Sequence, residues 1–348
     1  MQTEVPLRDK VRFLRRPHSY PERPGAIEVI ESHMSWVFLT DSCAYKLKKP
    51  VRYSYLDYGT IAARRENCAA EVRLNRRFAP AVYLGIVPLI IDPSGQLRLG
   101  GAGEPCDWLV KMLRLPAERT LEAQIGRDEV DEAELRQAID MLARVYRQAA
   151  PAGITADAYR LRFEGDVQEN LAELTDPVFE LSSDLPHIVA AAQERFLKGH
   201  VELLNARVED GRIVEGHGDL RPEHIYLLDP PIIMDCLEFN RELRLLDPVD
   251  ELAYLAIECH RLGAPHLGDM VLERYRADSG DWPPDALIHF YGSARAMLRA
   301  KLAIWHLKDE HRPDAEEWRA RTMRYLYIAA DHATRLDQGR EVTPRPGP

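Results

Sequence analysis

The first third of the chain alternates apolar and polar residues in short runs, and turn residues separate the runs. This pattern is typical of β-strands, because successive side chains on a strand point to opposite faces of a sheet. A helix is expected at residues 60–78, where good helix formers follow one another. Residues 92–95 have the composition of a tight turn. The predicted strands of this antiparallel sheet are residues 27–30, 35–40, 43–48, 82–91, 96–99 and 107–113.

From Ala117 onward the apolar residues recur at helical spacing, as in Leu135, Ile139 and Leu142. Asp247 stands before Pro248 and is expected to cap a helix. The predicted helices are residues 119–126, 132–149, 166–175, 185–207, 251–261, 265–277, 284–306 and 316–336. Strands followed by helices predict an α+β fold class. Four divisions are expected: an N-terminal arm (1–25), an N-terminal lobe (26–115), a C-terminal lobe (116–336) and a disordered Pro-rich tail (337–348).

Composition narrows the classes of protein. A chain of 348 residues with 45% hydrophobic and 29% charged residues is typical of a globular protein large enough for two domains. The formal net charge of -10 argues against nucleic-acid binding through phosphate neutralisation. Residues 1–16 are too charged for a signal peptide, and the longest apolar stretches are too short to span a membrane. A cytoplasmic protein without nucleic-acid or membrane partners is predicted; the pattern leaves the oligomeric state open.

The five cysteines are odd in number, widely spaced and without a CxxC pair. In a reducing cytosol such residues are expected to be small buried hydrophobes rather than disulfide or zinc ligands. They are Cys43, Cys68, Cys106, Cys236 and Cys259.

Candidate chemistry centres on His217-Gly218-Asp219-Leu220 and on Asp235, which follows the apolar run 232–234. Phosphoryl transfer needs one acid to accept or orient the acceptor's hydroxyl proton and a second acid to hold metal on the phosphates. Asp219 and Asp235 stand sixteen positions apart and are predicted to meet in one cleft. In the protein-kinase pattern an Asn stands five positions after the catalytic Asp, but here that residue is His224.

These stretches resemble the aminoglycoside phosphotransferase family, which has His-Gly-Asp where protein kinases have His-Arg-Asp. Residues 35–39, 45–50, 235–240 and 247–250 are similar to a bacterial subgroup of uncharacterised members, and the resemblance covers roughly residues 25–335. It implies a bilobal protein-kinase-like fold and an ATP-dependent phosphotransferase. The expected cofactors are ATP and Mg²⁺, with Mn²⁺ as an alternative metal. The expected partner is a small molecule that accepts phosphate on a hydroxyl group.

The resemblance also implies nucleotide-binding residues. Lys46, two positions after Ala44, corresponds to the strand lysine that pairs with phosphates, and Lys48 is the alternative. Glu71 lies within the apolar stripe of its helix and is expected to pair with Lys46. A surface pair of Glu71 with Asn75 or Arg76 stays open. Ser35 ends a turn without glycine where phosphate is expected, and the backbone of Met112, Leu113 and Leu115 is expected to contact adenine.

In the second lobe the resemblance makes Asp219 the catalytic base and Asp235 the metal ligand. His217 is expected to hold the loop by hydrogen bonds. Three outcomes stay open for His224: it is a weak or water-mediated metal ligand, the site keeps one metal on Asp235 alone, or the protein binds nucleotide and transfers phosphate slowly. We hypothesise the second outcome and expect Mn²⁺ to support activity comparatively well. Two residues are candidate acceptor-binding side chains: Arg221, and Glu238, which equally fits a bond to its own loop.

Two alternative functions stay open: a nucleotide-binding pseudokinase and a Ser/Thr protein kinase of the same fold. A P-loop kinase is disfavoured, because the chain contains no GxxxxGK[ST] motif.

Overall fold

The computed structural model of the chain describes residues 5–53, 56–181, 183–308 and 314–338. Residues 339–348, most of the predicted disordered tail, lie outside this part. The strands are β1 (Glu28–Glu31), β2 (Ser35–Leu39), β3 (Cys43–Lys48), β4 (Arg52–Tyr53), β5 (Leu56–Asp57), β6 (Tyr83–Ile91), β7 (Leu97–Leu99), β8 (Glu104–Leu113), β9 (Val214–Glu215), β10 (Ile225–Tyr226), β11 (Ile232–Ile233) and β12 (Leu245–Leu246). The helices are α1 (Leu7–Leu14), α2 (Ile61–Asn75), α3 (Leu121–Arg127), α4 (Glu132–Gln148), α5 (Ala156–Leu174), α6 (Leu185–Gly199), α7 (Val201–Glu209), α8 (Pro248–Arg261), α9 (Pro265–Ser279), α10 (Asp285–Ile304) and α11 (Ala315–Gln338).

The chain divides into two compact units. Unit 1 comprises Met1–Arg119 and Ile232–Leu243, and unit 2 comprises Thr120–Pro231 and Arg244–Pro348. The sequence-based boundaries kept all of residues 116–336 together, whereas the segment Ile232–Leu243 groups with unit 1. Ile232 and Met234 of this segment pack against an apolar cluster of unit 1, and Asp235 and Glu238 form ion pairs with β3.

Unit 1 is built on a six-stranded antiparallel sheet with the strand order β1-β2-β3-β8-β6-β7. On the inner strand β3, Tyr45 and Leu47 point into an apolar cluster with α1, whereas Ala44 belongs to the cluster beneath α2. Because side chains alternate along a strand, Lys46 and Lys48 lie on the α2 side with Ala44. The residues predicted as a separate arm carry α1, whose Lys10 Nζ lies 2.7 Å from Asp107 Oδ2.

Unit 2 is mainly helical, and one of its apolar clusters draws on α8, α10 and α11. Asp247 caps α8 as predicted, because its side chain accepts a hydrogen bond from the backbone N–H of Val249 at 2.9 Å. The prediction of one helix over 185–207 is wrong: α6 ends at Gly199, and α7 begins at Val201. Helix α5 begins ten residues earlier than predicted, where the Thr155 side chain accepts from Ala158 N–H.

The predicted α+β class is confirmed by the sheet of unit 1 and the helices of unit 2. All five cysteines are free thiols and buried, also as predicted. Within the described ranges, every helix is too short or too polar to cross a membrane.

Candidate functional site

Lys46 is the centre of a charged group in unit 1. Its Nζ lies 3.0 Å from Glu71 Oε1 on α2 and 2.7 Å from Asp235 Oδ1. The predicted pair of Lys46 with Glu71 is therefore present. The surface alternative for Glu71 is wrong, because this side chain is fully buried.

Lys48 lies two residues after Lys46 on β3, on the same face of the strand, and also contacts the Glu71 carboxylate. Its Nζ donates to Glu71 Oε2 at 2.5 Å and to the Tyr58 hydroxyl at 3.3 Å. It also donates to Glu238 Oε1, which accepts from the Tyr58 hydroxyl as well. Glu71 thus bridges both lysines, and Glu238 is bound to the strand side of unit 1.

The charges of this cluster reinforce one another. Burial lowers the pKa of Lys46, but Asp235, Glu71 and Glu238 more than offset it, so this pKa lies well above its usual value. Burial also raises the pKa of Glu238, and Lys48 and Lys46 reverse that effect, so the net pKa is lowered. Two ammonium and three carboxylate groups leave one net negative charge. Asp235 is the most accessible of the ion-paired carboxylates, with 41% of its side chain exposed, and it is the group that a cation would reach.

The backbone around Asp235 is held in an unusual conformation. Asp235 has φ of 64°, in the left-handed region that few non-glycine residues adopt. Its N–H donates to the Tyr83 hydroxyl at 3.1 Å, and the next N–H, of Cys236, donates to Asn75 Oδ1 at 2.9 Å. Asn75 Nδ2 in turn donates to the carbonyl of Glu71 at 2.9 Å. Asn75 therefore couples the position of Asp235 to that of Glu71.

The other residues predicted to contact the nucleotide occupy ordinary strand and turn positions. Ser35 begins β2 and is buried, and its hydroxyl lies 3.0 Å from the Ser32 hydroxyl, which closes the β1–β2 turn. Met112 is buried in β8, Leu113 is exposed, and Leu115 packs beside the α2 cluster. The N–H of Leu113 already donates to the Val82 carbonyl at 2.9 Å.

In unit 2, a buried carboxylate on α8 holds the loop that carries Asp219. Glu251 Oε2 accepts from the His217 N–H at 3.0 Å, and Glu251 Oε1 accepts from the Gly218 N–H at 2.5 Å. The Tyr146 hydroxyl donates to the same carboxylate at 2.5 Å. Gly218 has φ of 87°, and a Cβ at Gly216 would lie 2.8 Å from Glu251 Oε2. Both glycines are therefore required by the close approach and turn of this loop.

The Asp219 carboxylate has two direct side-chain partners. Arg221 Nη2 lies 3.0 Å from Oδ2, and the Tyr254 hydroxyl donates to Oδ1 at 3.1 Å. Burial raises the pKa of Asp219, but Arg221, His224, Arg299 and His217 outweigh it and lower the pKa below its usual value. Asp219 is therefore ionised at neutral pH.

The two histidines of this loop contact the backbone of Asp219. His217 is buried, and its Nδ1 accepts from the Asp219 N–H at 3.3 Å, which agrees with the predicted loop-holding role. His224 Nδ1 lies 2.8 Å from the Asp219 carbonyl, so this nitrogen is the protonated one. His224 Nε2 lies 3.3 Å from Arg221 Nη2. Both ring nitrogens of His224 thus have protein neighbours.

The structure brings together Lys46, Glu71, Asp235 and Glu238 in unit 1, and Asp219, Arg221, His217 and His224 in unit 2. That the two carboxylates Asp219 and Asp235 serve one nucleotide stays a prediction. The sequence did not predict the side chains that hold Lys48, Asp235 and Asp219 in place. For Glu251, an acid within the largely apolar helix after Asp247 was a usable signal. The missed residues are Tyr58, Asn75, Tyr83, Glu251 and Tyr254.

The chain has relatives of known sequence in mycobacteria. It is 35% identical over 315 residues to uncharacterized proteins of Mycobacterium tuberculosis and Mycobacterium bovis, matching 88% of this chain and 59% of theirs. It therefore spans about three-fifths of the length of these relatives. No protein-family model matches the chain.

Solved structures of similar fold include a choline/ethanolamine kinase family protein from Mesorhizobium loti, with a TM-score of 0.54, 15% identity, and coverage of 95% of this chain and 99% of that one. The GDP complex of wild-type aminoglycoside 2'-phosphotransferase-IIIa has a TM-score of 0.52 and 14% identity, covering 96% and 100%. A choline kinase from Cryptosporidium parvum has a TM-score of 0.50 and 11% identity, covering 95% and 96%. At these identities the likeness shows the fold alone: the chain shares the fold of these kinase and phosphotransferase structures.

Proposed function

We propose that the chain is a phosphotransferase that moves the terminal phosphate of ATP to a hydroxyl group of a small molecule. The observation that carries this proposal is the Lys46 ammonium, which touches both the buried Glu71 and the accessible Asp235. This arrangement suits a lysine aligned on nucleotide phosphates beside a metal-binding carboxylate. The similar structures of small-molecule kinases support the same reaction class.

In the proposed reaction, the acceptor oxygen forms a bond to the terminal phosphorus as the bond to the leaving nucleotide oxygen breaks. Asp219, ionised and oriented by Tyr254, orients the acceptor hydroxyl and takes its proton. Arg221, whose guanidinium lies beside Asp219, offsets the negative charge on the transferring phosphoryl group. Its two terminal nitrogens also contact the carboxylates of Asp219 and Glu223, which hold the guanidinium in place.

The donor groups of Asp235 fit Mg²⁺, which prefers oxygen ligands and is commonly held by one or two carboxylates together with substrate phosphates. Bound Mg²⁺ would neutralise charge on the phosphates. In the described part of the chain, His, Cys, Asp and Glu residues form no group of three or more arranged as a metal site. We assign the metal to Asp235 and give His224 a loop-holding role, because its Nδ1 lies on the Asp219 carbonyl.

Base recognition is assigned to the chain after β8. Since the Leu113 N–H is engaged by Val82, we assign the contact with the base to the backbone of Leu115 and to the remaining polar groups of Met112 and Leu113. The similar aminoglycoside phosphotransferase was solved with GDP, so GTP is tested beside ATP.

The test uses terminally labelled ATP or GTP, Mg²⁺ or Mn²⁺, and a panel of small alcohols. Asp219→Asn is expected to bind nucleotide normally and to transfer phosphate about 10²-fold more slowly or worse. Asp235→Asn is expected to lose metal-dependent nucleotide binding as well. Asp157→Asn, which changes an exposed acid on α5, is the matched control. Site variants as active as this control would refute the proposal.

Two further outcomes separate the alternatives. Metal-dependent nucleotide binding without hydrolysis or transfer would indicate a pseudokinase. Transfer to a protein substrate but to none of the alcohols would indicate a Ser/Thr protein kinase. His224→Asn tests whether His224 binds the metal. A changed preference between Mg²⁺ and Mn²⁺ in this variant would indicate that His224 is a metal ligand beside Asp235.

A further inference from the structure

The electrostatic neighbours of Asp219 in unit 2 are basic. The side chains that lower the pKa of its carboxylate are Arg221, His224, Arg299 and His217. A cationic acceptor is stabilised by carboxylates or aromatic faces and is opposed by nearby cations when it leaves water. Two of these neighbours, Arg221 and Arg299, are guanidinium groups that are also paired with the acids Glu223 and Glu258, and a cationic acceptor beside Asp219 would face both guanidinium groups.

Arg299 on α10 is connected to Asp219 through an aromatic residue. The Tyr254 hydroxyl donates to Asp219 Oδ1 at 3.1 Å, and Arg299 Cζ lies 6.0 Å from the centroid of the Tyr254 ring. Tyr254 itself is buried, so its position is fixed by packing. Arg299, Tyr254 and Asp219 therefore form a contiguous row, which we call the acceptor row.

One edge of the Arg299 guanidinium is engaged and the other is available. Its Nε donates to Glu258 Oε1 at 2.8 Å and to the Tyr325 hydroxyl at 3.3 Å. Neither terminal nitrogen makes a hydrogen bond to the described residues, and neither is among the buried polar atoms. The side chain retains 15% exposure, whereas Glu258 retains none. Glu258 is therefore buried, whereas part of the Arg299 side chain is accessible to solvent.

We propose that the acceptor is a small alcohol that carries an anionic group, a carboxylate or a phosphate monoester, and that the terminal nitrogens of Arg299 bind this group. The inference rests on the proposed phosphotransferase function. A planar guanidinium with two free donors matches either oxyanion in bidentate geometry. Choline-like or polyamine acceptors would bring a cation against Arg221 and Arg299 and are disfavoured.

The experiment compares four alcohols that share a three-carbon skeleton: glycerate, glycerol 3-phosphate, glycerol and 3-aminopropane-1,2-diol. Their binding to the protein with Mg²⁺ and a non-hydrolysable ATP analogue is measured by calorimetry and by ligand-observed NMR. We expect the two anions to bind roughly tenfold or more tightly than glycerol, the worth of one charge-assisted hydrogen bond. The amine should bind most weakly.

Variants of Arg299, compared with one control, identify the side chain responsible. Arg299→Gln should abolish the preference for anions, and Arg299→Lys should keep part of it, because the charge remains while the planar fork is lost. Arg136→Gln, an exposed arginine on α4, is the control and should bind as the wild type does. Arg299→Gln also removes a charged partner of Glu258 and could destabilise the protein for that reason. The double variant Arg299→Gln with Glu258→Gln removes both charges, so a loss of anion preference in this variant reports on the missing guanidinium group.

The outcomes distinguish this inference from the function on which it rests. Equal binding of all four alcohols, absence of binding, or tighter binding of the amine would overturn the assignment of an anionic acceptor. A preference for anions that survives in both Arg299 variants lacking the charge would overturn the assignment to Arg299. Nucleotide hydrolysis measured without acceptor, in wild type and Asp235→Asn, reports separately on the phosphotransferase proposal.

Discussion

Replacing Lys48 by methionine should separate the roles of the two lysines on β3. The substitution removes the ammonium group but keeps a flexible apolar chain of similar length. Lys48 is 1% exposed and donates to Glu71, Glu238 and Tyr58, whereas Lys46 is 15% exposed and donates to Glu71 and Asp235. The first is a buried structural cation, and the second is accessible to a ligand.

The cost of Lys48→Met follows from these contacts. Glu71 keeps Lys46 at 3.0 Å, so the loss falls mainly on Glu238, which is deprived of its ammonium partner in a buried position. Removing one member of a buried ion pair costs about 3–5 kcal/mol. At roughly 2–4 °C per kcal/mol, the expected fall in Tm is about 10 °C. Lys46→Met should cost about 1 kcal/mol or less, because Lys48 still neutralises Glu71 and Asp235 is partly hydrated.

Urea unfolding and nucleotide binding, measured on both variants, check this reasoning. We expect Lys48→Met to lose stability and Lys46→Met to lose nucleotide affinity by tenfold or more. The double variant Lys48→Met with Glu238→Gln should recover about 1–2 kcal/mol, since it removes the charge of the carboxylate that Lys48 contacts and keeps an acceptor for the Tyr58 hydroxyl. Equal stability losses in the two single variants, or a double variant less stable than Lys48→Met, would refute the distinction.

Four other substitutions have defined outcomes. Glu251→Gln should lower kcat roughly 10- to 100-fold in steady-state kinetics without changing nucleotide affinity, because it weakens the bonds that hold the Asp219 loop; Tyr146→Phe, which leaves both loop bonds, should have a smaller effect. Asn75→Ala should cost about 1–2 kcal/mol in urea unfolding and weaken metal-dependent nucleotide binding, since Cys236 N–H loses its acceptor. Burial and His289 lower the pKa of His332 from 6.5 to about 4, so the unfolded chain takes up a proton between these pH values while the folded chain does not. Stability should therefore fall by at most about 3 kcal/mol as pH drops from 6.5 to 4, and His332→Gln should reduce this slope in unfolding curves at pH 7 and 4.5.

The sequence predicted helices and strands well where neighbouring residues determine where an element begins and ends. Strand β3 matches the prediction at both ends, and Asp247 caps α8, because alternation and capping depend on neighbouring residues. The break between α6 and α7 was missed since apolar spacing continues through it. Gly199, a poor helix former, ends α6, and the chain resumes helical hydrogen bonding at Val201.

The candidate site was predictable as far as the kinase-like pattern extends. Lys46 and Glu71 pair as expected because each occupies a fixed place on its strand or helix. The sharing of Glu71 by two lysines was not predictable, since it depends on the approach of α2 to β3. Asn75 was considered only as a surface neighbour, whereas it is buried and binds a backbone N–H 161 positions away. Contacts at such separations leave no trace in local spacing.

Unit 1 consists of two pieces of chain separated by more than a hundred residues. Asp235 and Glu238, which contact Lys46 and Lys48, follow them by 189 and 190 positions. During synthesis, the two lysines and Glu71 emerge from the ribosome well before these acids, so until then Glu71 is the one carboxylate of the cluster available to both ammonium groups. A polypeptide that stops at residue 119 would lack these acids permanently, and adding back a peptide covering 232–243 offers a way to assemble the unit from two chains.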